Sequence, residues 1–149
     1  MTEQFEQSHR KRPRGITFLC IVNGVGFVLT LLFWATVFFR RLVPLPGDLT
    51  LISDRTNAAV TYGFMIADIV YSLPLLLTAT IGLWRHTPWG WMAGQIVNML
   101  WIYSMTVILF RDANSTITPG GVLFTPFALI AIWAIPYLWV KRKVFAITE

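Results

Sequence analysis

Four long apolar runs separated by short polar breaks make up most of the chain: Ile16 to Phe39, Asn57 to Trp84, Trp89 to Phe110 and Gly121 to Val140. They hold 24, 28, 22 and 20 residues, and the one Asp, Glu, Lys, Arg or His among them is Asp68. A helix needs about 20 apolar residues to cross the hydrocarbon of a bilayer. Each run therefore predicts one membrane span, with cores near 16–39, 59–82, 89–110 and 121–140. The prediction is an all-α polytopic membrane protein, a four-transmembrane-helix bundle forming a single integral membrane domain over 1–149.

Composition narrows the function classes. The chain is 56% hydrophobic and 13% charged, against about 25% charged in soluble domains. That excludes a soluble domain, a disordered chain and a nucleic-acid-binding module, so the bilayer is the expected partner and nucleic acid is not. The tails and loops are too short for a soluble catalytic domain, so any chemistry belongs in or between the helices.

The net charge of +5 reports topology. If four helices alternate, the N-tail, the turn at Arg85 to Pro88 and the C-tail share one side. That side carries Arg10, Lys11, Arg12, Arg14, Arg85, Lys141, Arg142 and Lys143, eight of the twelve Lys and Arg. The positive-inside rule then expects both termini in the cytoplasm. Trp84, Trp89, Trp91, Tyr137 and Trp139 fall at that interface, where amphipathic rings sit with the polar edge in water. The first run exceeds the 7 to 15 residues of a signal peptide core and ends in Phe38-Phe39-Arg40-Arg41 without small residues for cleavage, so it is expected to remain as an anchor. The other side has two connections, a turn-rich one from Arg40 to Thr56 and a polar one from Arg111 to Gly120. The second holds Asn114-Ser115-Thr116, which fits the acceptor pattern for N-glycosylation.

Polar residues at membrane depth carry the functional signal, because a polar group facing lipid is costly and turns inward or binds something. At ~1.5 Å per residue, Thr30, Asp68 and Tyr103 lie slightly outward of the midplane. Tyr71 and Asn98 lie near it, and Asn23 and Gln95 lie toward the terminal side. On the second helix, Thr61, Met65, Asp68, Tyr71 and Ser72 recur at offsets of three and four and predict one inner face. Trp91, Gln95 and Asn98 do the same on the third, while Tyr103 is rotated away. Asn23, Gly24 and Gly26 give the first helix a small surface for close packing. Asn23, Gln95 and Asn98 either wall a cavity or hydrogen-bond between helices to fix their packing.

Asp68 is the sharpest of these. A carboxylate at that depth costs about 2.5 to 3.5 kcal/mol on insertion scales, and no Lys, Arg or His lies within the apolar runs to neutralise it. The expected resting state is a neutral acid hydrogen-bonded to Asn98, Tyr71 or Thr30, able to pair with a cationic amine, a sodium ion or a proton in transit. Pro74 lacks an N–H and leaves the Val70 carbonyl without its usual partner, predicting a kink and a free acceptor beside the acid. Pro126 and Pro136 are expected to distort the fourth helix in the same way. Trp101, Trp133, Tyr71 and Tyr103 are deep for interfacial aromatics and either wall a cavity or simply pack.

Other chemistry lacks residues. The one cysteine, Cys20, excludes an intrachain disulfide and Cys-rich metal sites. His9 and His86 lie outside the apolar runs with no ligand spacing, and no serine has a histidine partner at depth. No metal or cofactor is expected, and the residues favour binding over catalysis, although a membrane acid can protonate a double bond.

Asp68-Ile-Val-Tyr-Ser-Leu-Pro74, Trp84-Arg85, Leu109-Phe110-Arg111-Asp112 and Pro136-Tyr137 together resemble the EXPERA family over roughly residues 60 to 140. That family comprises four-helix membrane domains of sterol isomerases and sigma-two-receptor-like proteins. The resemblance implies that an acid before Leu-Pro on the second helix faces a cavity for sterols or cationic amphiphiles. Asp68 would be the amine-pairing acid, Asn98 a polar wall and Asp112 a helix-end acid. The isomerases also use an intramembrane histidine, which this chain lacks, so the resemblance implies ligand binding and not isomerisation.

The expected function is a polar intramembrane cavity around Asp68 that binds a small amphiphilic, cationic or sterol-like ligand, with Asp68, Asn98, Tyr71, Asn23, Gln95, Thr30 and Trp101 as candidate contacts. Two alternatives are an accessory subunit whose polar layer docks a partner membrane protein, and a small proton-coupled exporter acting as a homodimer.

Overall fold

A computed structural model describes residues 13–113 and 121–145. Among these residues the structure is helical apart from short connections, with no strand, and four helical segments are long and apolar enough to cross a membrane. The first is α1 (Arg14–Arg40). The second, Ile52–Trp84, consists of α2 (Ile52–Ala67), a π-helical turn (Asp68–Ser72) and α3 (Leu73–Trp84). The third is α4 (Pro88–Asp112), and the fourth joins a 3-10 turn (Gly121–Phe124) to α5 (Thr125–Val140). The N-glycosylation acceptor pattern, Asn114 to Thr116, and the basic residues Arg10 to Arg12 lie outside the described residues.

Two helices run past their apolar limits. The second segment starts at Ile52, ahead of the apolar run, and Arg55 on its first turn reaches back from Nη2 to the Leu49 carbonyl at 2.9 Å. The third continues through Arg111 and Asp112, residues that hydropathy alone assigns to a loop.

Packing follows chain order. α1 lies on α3, α3 on α4 and α4 on α5, while α1 and α5 approach each other only lightly. Three apolar clusters stack along the bundle. At the terminal end Ile16, Leu19, Cys20, Leu83, Ala134, Leu138 and Phe145 pack together, which puts both ends of the described chain at one end of the bundle. Leu76, Ala79, Ala93 and Val97 form the middle, and Trp34, Val37, Val43 and Ala58 the far end. The small residues of α1 sit where close approach requires them: Gly24 faces Thr80 of α3, and Gly26 faces Trp101 and Phe127.

The tightest crossing is the α3–α4 hairpin. Thr87 caps α4, its hydroxyl accepting from the Gly90 amide at 3.2 Å, and Pro88 fills the first helical position, where a missing N–H costs nothing. Gly82 and Gly90 then meet backbone to backbone, and a Cβ on either would overlap the other's main chain. Backbone cannot swing aside as a flexible side chain can. Gly90→Ala is therefore expected to cost about 2–3 kcal/mol as overpacking and to lower the thermal midpoint in detergent. Gly63→Ala, whose Cβ would point into open space, is expected to leave that midpoint unchanged.

The two prolines of the fourth segment differ. Pro126 falls in the first turn of α5, where it is tolerated without distortion, and only Pro136 lies inside the helix. Around Pro136 the α5 backbone accepts from α4 side chains: Gln95 Nε2 donates to the Ile135 carbonyl at 3.2 Å and Trp91 Nε1 to the Leu138 carbonyl at 2.8 Å.

Candidate functional site

The second segment bends its chemistry into shape through the π turn. Pro74 offers no N–H, and the helix adapts by widening one turn ahead, with the Leu73 amide bonded back five residues to the Asp68 carbonyl. Each residue of such a turn advances by less than the 100° of an α-helix. Ser72 stays on the Asp68 face, but Tyr71 swings to the outer surface and is 64% exposed. The inner face expected from the spacing thus continues through Thr61, Asp68 and Ser72 and omits Tyr71. Beyond the π turn α2 diverges from α4, whereas α3 packs tightly on it.

A cavity of about 50 Å³ occupies the divergence, lined by all four membrane segments. α1 contributes Thr30, Phe33 and Trp34, the second segment Thr61, Asp68, Ser72 and Leu76, and α4 Val97, Leu100, Trp101, Ser104, Met105, Ile108 and Arg111. Gly121 and Phe124 close it from the fourth segment. Its free volume is room for a few waters or a small head group; drug-sized ligands fill clefts of about 300–1,000 Å³. A rigid sterol does not fit inside this space as it stands.

Asp68 is held from two directions. The Trp34 indole N–H donates to Oδ2 at 2.8 Å, and the Ser72 hydroxyl donates to Oδ1 at 2.7 Å. Neither partner is Asn98, Tyr71 or Thr30. The two donors differ in kind, because indole can only donate whereas a hydroxyl can rotate and accept. Trp34→Phe keeps most of the ring and removes the donor. It is expected to cost about 1–3 kcal/mol for a lost bond to a buried acid, read as a lower thermal midpoint in detergent, with Ser72→Ala costing less.

Aromatic rings wall the same space. Phe33 lies edge-on to Trp34 at 4.8 Å and to Phe124 at 5.2 Å, and Trp101 stacks on Phe124 at 5.9 Å and on Phe127 at 4.9 Å. Four rings, Trp34, Phe33, Phe124 and Trp101, therefore form a continuous wall beside the carboxyl. The Thr30 hydroxyl is buried in the lining with no hydrogen-bond partner, a deficit of about 1–3 kcal/mol unless something polar occupies the cavity.

At the far end stands a group that hydropathy alone does not reveal. The Arg111 guanidinium, 7% exposed, pairs with Asp112, Nη2 to Oδ1 at 2.6 Å and Nε to the same oxygen at 2.9 Å. Its Nη1 crosses to the Thr61 hydroxyl at 2.9 Å, bridging the gap between α2 and α4. Thr61 passes the chain of bonds on to the Asn57 carbonyl at 2.8 Å, and Asp112 Oδ2 accepts from the Gly121 amide. A cation thus lines the cavity that the apolar runs alone leave without one.

Of the sequence candidates, Asp68, Thr30 and Trp101 converge on the cavity. Asn23 and Asn98 are buried in the bundle but do not line it, Gln95 docks α4 on α5, and Tyr71 faces outward. Ser72, expected on the inner face, bonds the acid, and Trp34 and Arg111 are the further residues. Their signals are present in the spacing: Thr30, Trp34 and Val37 follow one helical face, as do Val97, Trp101, Ser104, Ile108 and Arg111. Among the described residues no group of His, Cys, Asp and Glu could hold a metal ion. Compared with protein-family models, curated proteins and solved structures, the chain matches none.

Proposed function

We propose that this multi-pass membrane protein binds a small cationic or amphiphilic molecule, its positive head in the cavity and any apolar tail in the lipid between α2 and α4. The observation that carries the reading is the pairing of Asp68 with four aromatic rings in one partly desolvated space. A carboxylate supplies the countercharge, and ring faces attract cations by about 0.5–2 kcal/mol each, most when desolvated. The unpartnered Thr30 hydroxyl favours an occupied cavity over a merely structural one. The EXPERA resemblance assigns the same acid the same task. The small volume favours a compact head over a buried sterol.

The test is calorimetric titration of tetramethylammonium into the detergent-purified protein. Saturable binding that Asp68→Asn abolishes supports the reading. Binding indifferent to Asp68 would transfer the polar layer to a packing or partner-docking role.

The same reading puts both termini in the cytoplasm, because Arg14, Arg85, Lys141, Arg142 and Lys143 flank the ends of the spans on the terminal side. Gly47 is exposed with open space around it, and the native cysteine is buried. A Gly47→Cys variant in intact cells is expected to react with a membrane-impermeant maleimide while the parent protein stays unlabelled. Labelling only after lysis would invert the topology.

A further inference from the structure

Resting on the cation-site reading, a second set of observations narrows the ligand's chemistry. The cavity is charged at both ends: Asp68 at one, and at the other the buried Arg111 guanidinium, fixed by Asp112 and Thr61. Three N–H groups of Arg111 are engaged, and Nη1 and Nη2 each keep one more beyond those bonds. A planar guanidinium already immobilised loses little further freedom on binding an anion, which makes it a prepared receptor for a carboxylate or phosphate. Thr30, its hydroxyl buried without a partner, adds a neutral polar atom to the lining.

The spacing sets a size. Thr61, which holds Arg111, and Asp68 are seven residues apart, about 10 Å along the helix axis. Ionic contacts take up to about 4 Å at each end, so the two charges of a bridging molecule lie only a few ångströms apart. A simple cation would satisfy Asp68 and leave the remaining N–H groups of Arg111 without a second anion. We propose that the cavity accepts a short zwitterion, with its ammonium against Asp68 and its carboxylate or phosphate against Arg111.

Such a molecule could be free or the head group of a lipid, and two matched pairs separate these sources. Detergent-purified protein in an alkyl maltoside is titrated with glycine betaine against tetramethylammonium, and with lysophosphatidylcholine against hexadecyltrimethylammonium. The zwitterion is expected to bind at least about tenfold more tightly than its cationic counterpart, a difference of about 1.4 kcal/mol, in the free pair or in the lipid pair. The pair that shows it names the source. In Arg111→Lys, which keeps the charge but loses the planar fork, the preference for the zwitterion is expected to shrink. Equal affinity within both pairs of the wild type would overturn the zwitterion proposal and leave the cation site standing. No binding in any arm would remove both.

Discussion

Arg111→Met is expected to be the most damaging single substitution in the described part of the chain. It removes the guanidinium that pairs with Asp112 and crosses to Thr61, breaking an ion pair and the bridge between α2 and α4 together. Breaking one side of a buried ion pair costs about 3–5 kcal/mol because the remaining charge stays desolvated. At roughly 2–4 °C per kcal/mol for a chain of this size, the thermal midpoint in detergent is expected to fall by about 10 °C. The double variant Arg111→Met with Asp112→Asn also removes the acid of the pair, and the amide oxygen still accepts from Gly121. It is expected to recover part of the loss. A single variant as stable as wild type would mean that the pair is solvated and that the bridge between α2 and α4 contributes little.

Asp68→Asn is expected to act on binding alone. The wild-type carboxyl takes one donor on each oxygen, from Trp34 and from Ser72. In the variant the amide oxygen can face the indole, which only donates, while the amide nitrogen donates to the Ser72 hydroxyl, which can accept. Both bonds survive, so stability is expected to change by less than about 1 kcal/mol. The charge does not survive, and a charge-assisted contact worth about 1.5–3 kcal/mol corresponds to a loss of roughly 10- to 150-fold in affinity for a cation. Asp68→Leu, by contrast, strands the Trp34 N–H and is expected to destabilise as well. The contrast between these variants separates a binding role from a structural one: if both unfold the protein equally, Asp68 is a packing residue.

The fold was legible because its signal is the crudest one available. Four apolar runs of sufficient length, interrupted by short polar breaks, leave few alternatives to four spanning helices. The site was legible in part. Asp68 is conspicuous as the one acid among the apolar runs, and Thr30 and Trp101 follow from depth. Arg111 escaped because hydropathy ends the span at Phe110, although its register with Ser104 and Ile108 points it inward once the helix continues. Trp34 escaped because an indole scores as apolar while its N–H behaves as a polar donor. Tyr71 was misplaced for a local reason: helical periodicity assumes 3.6 residues per turn, and the π turn at Asp68–Ser72 breaks that count within the motif itself. A proline shortly after an intramembrane acid signals distortion, but the sequence does not say whether the helix kinks or widens.

Native mass spectrometry of wild type beside Asp68→Asn tests the cation-binding reading most directly, because it reports retained small molecules and subunit count together. Wild type is expected to carry a positively charged or zwitterionic molecule that the variant lacks, at the same subunit count in both. Two equally bare, equally stable proteins that also take up no added cation would contradict it.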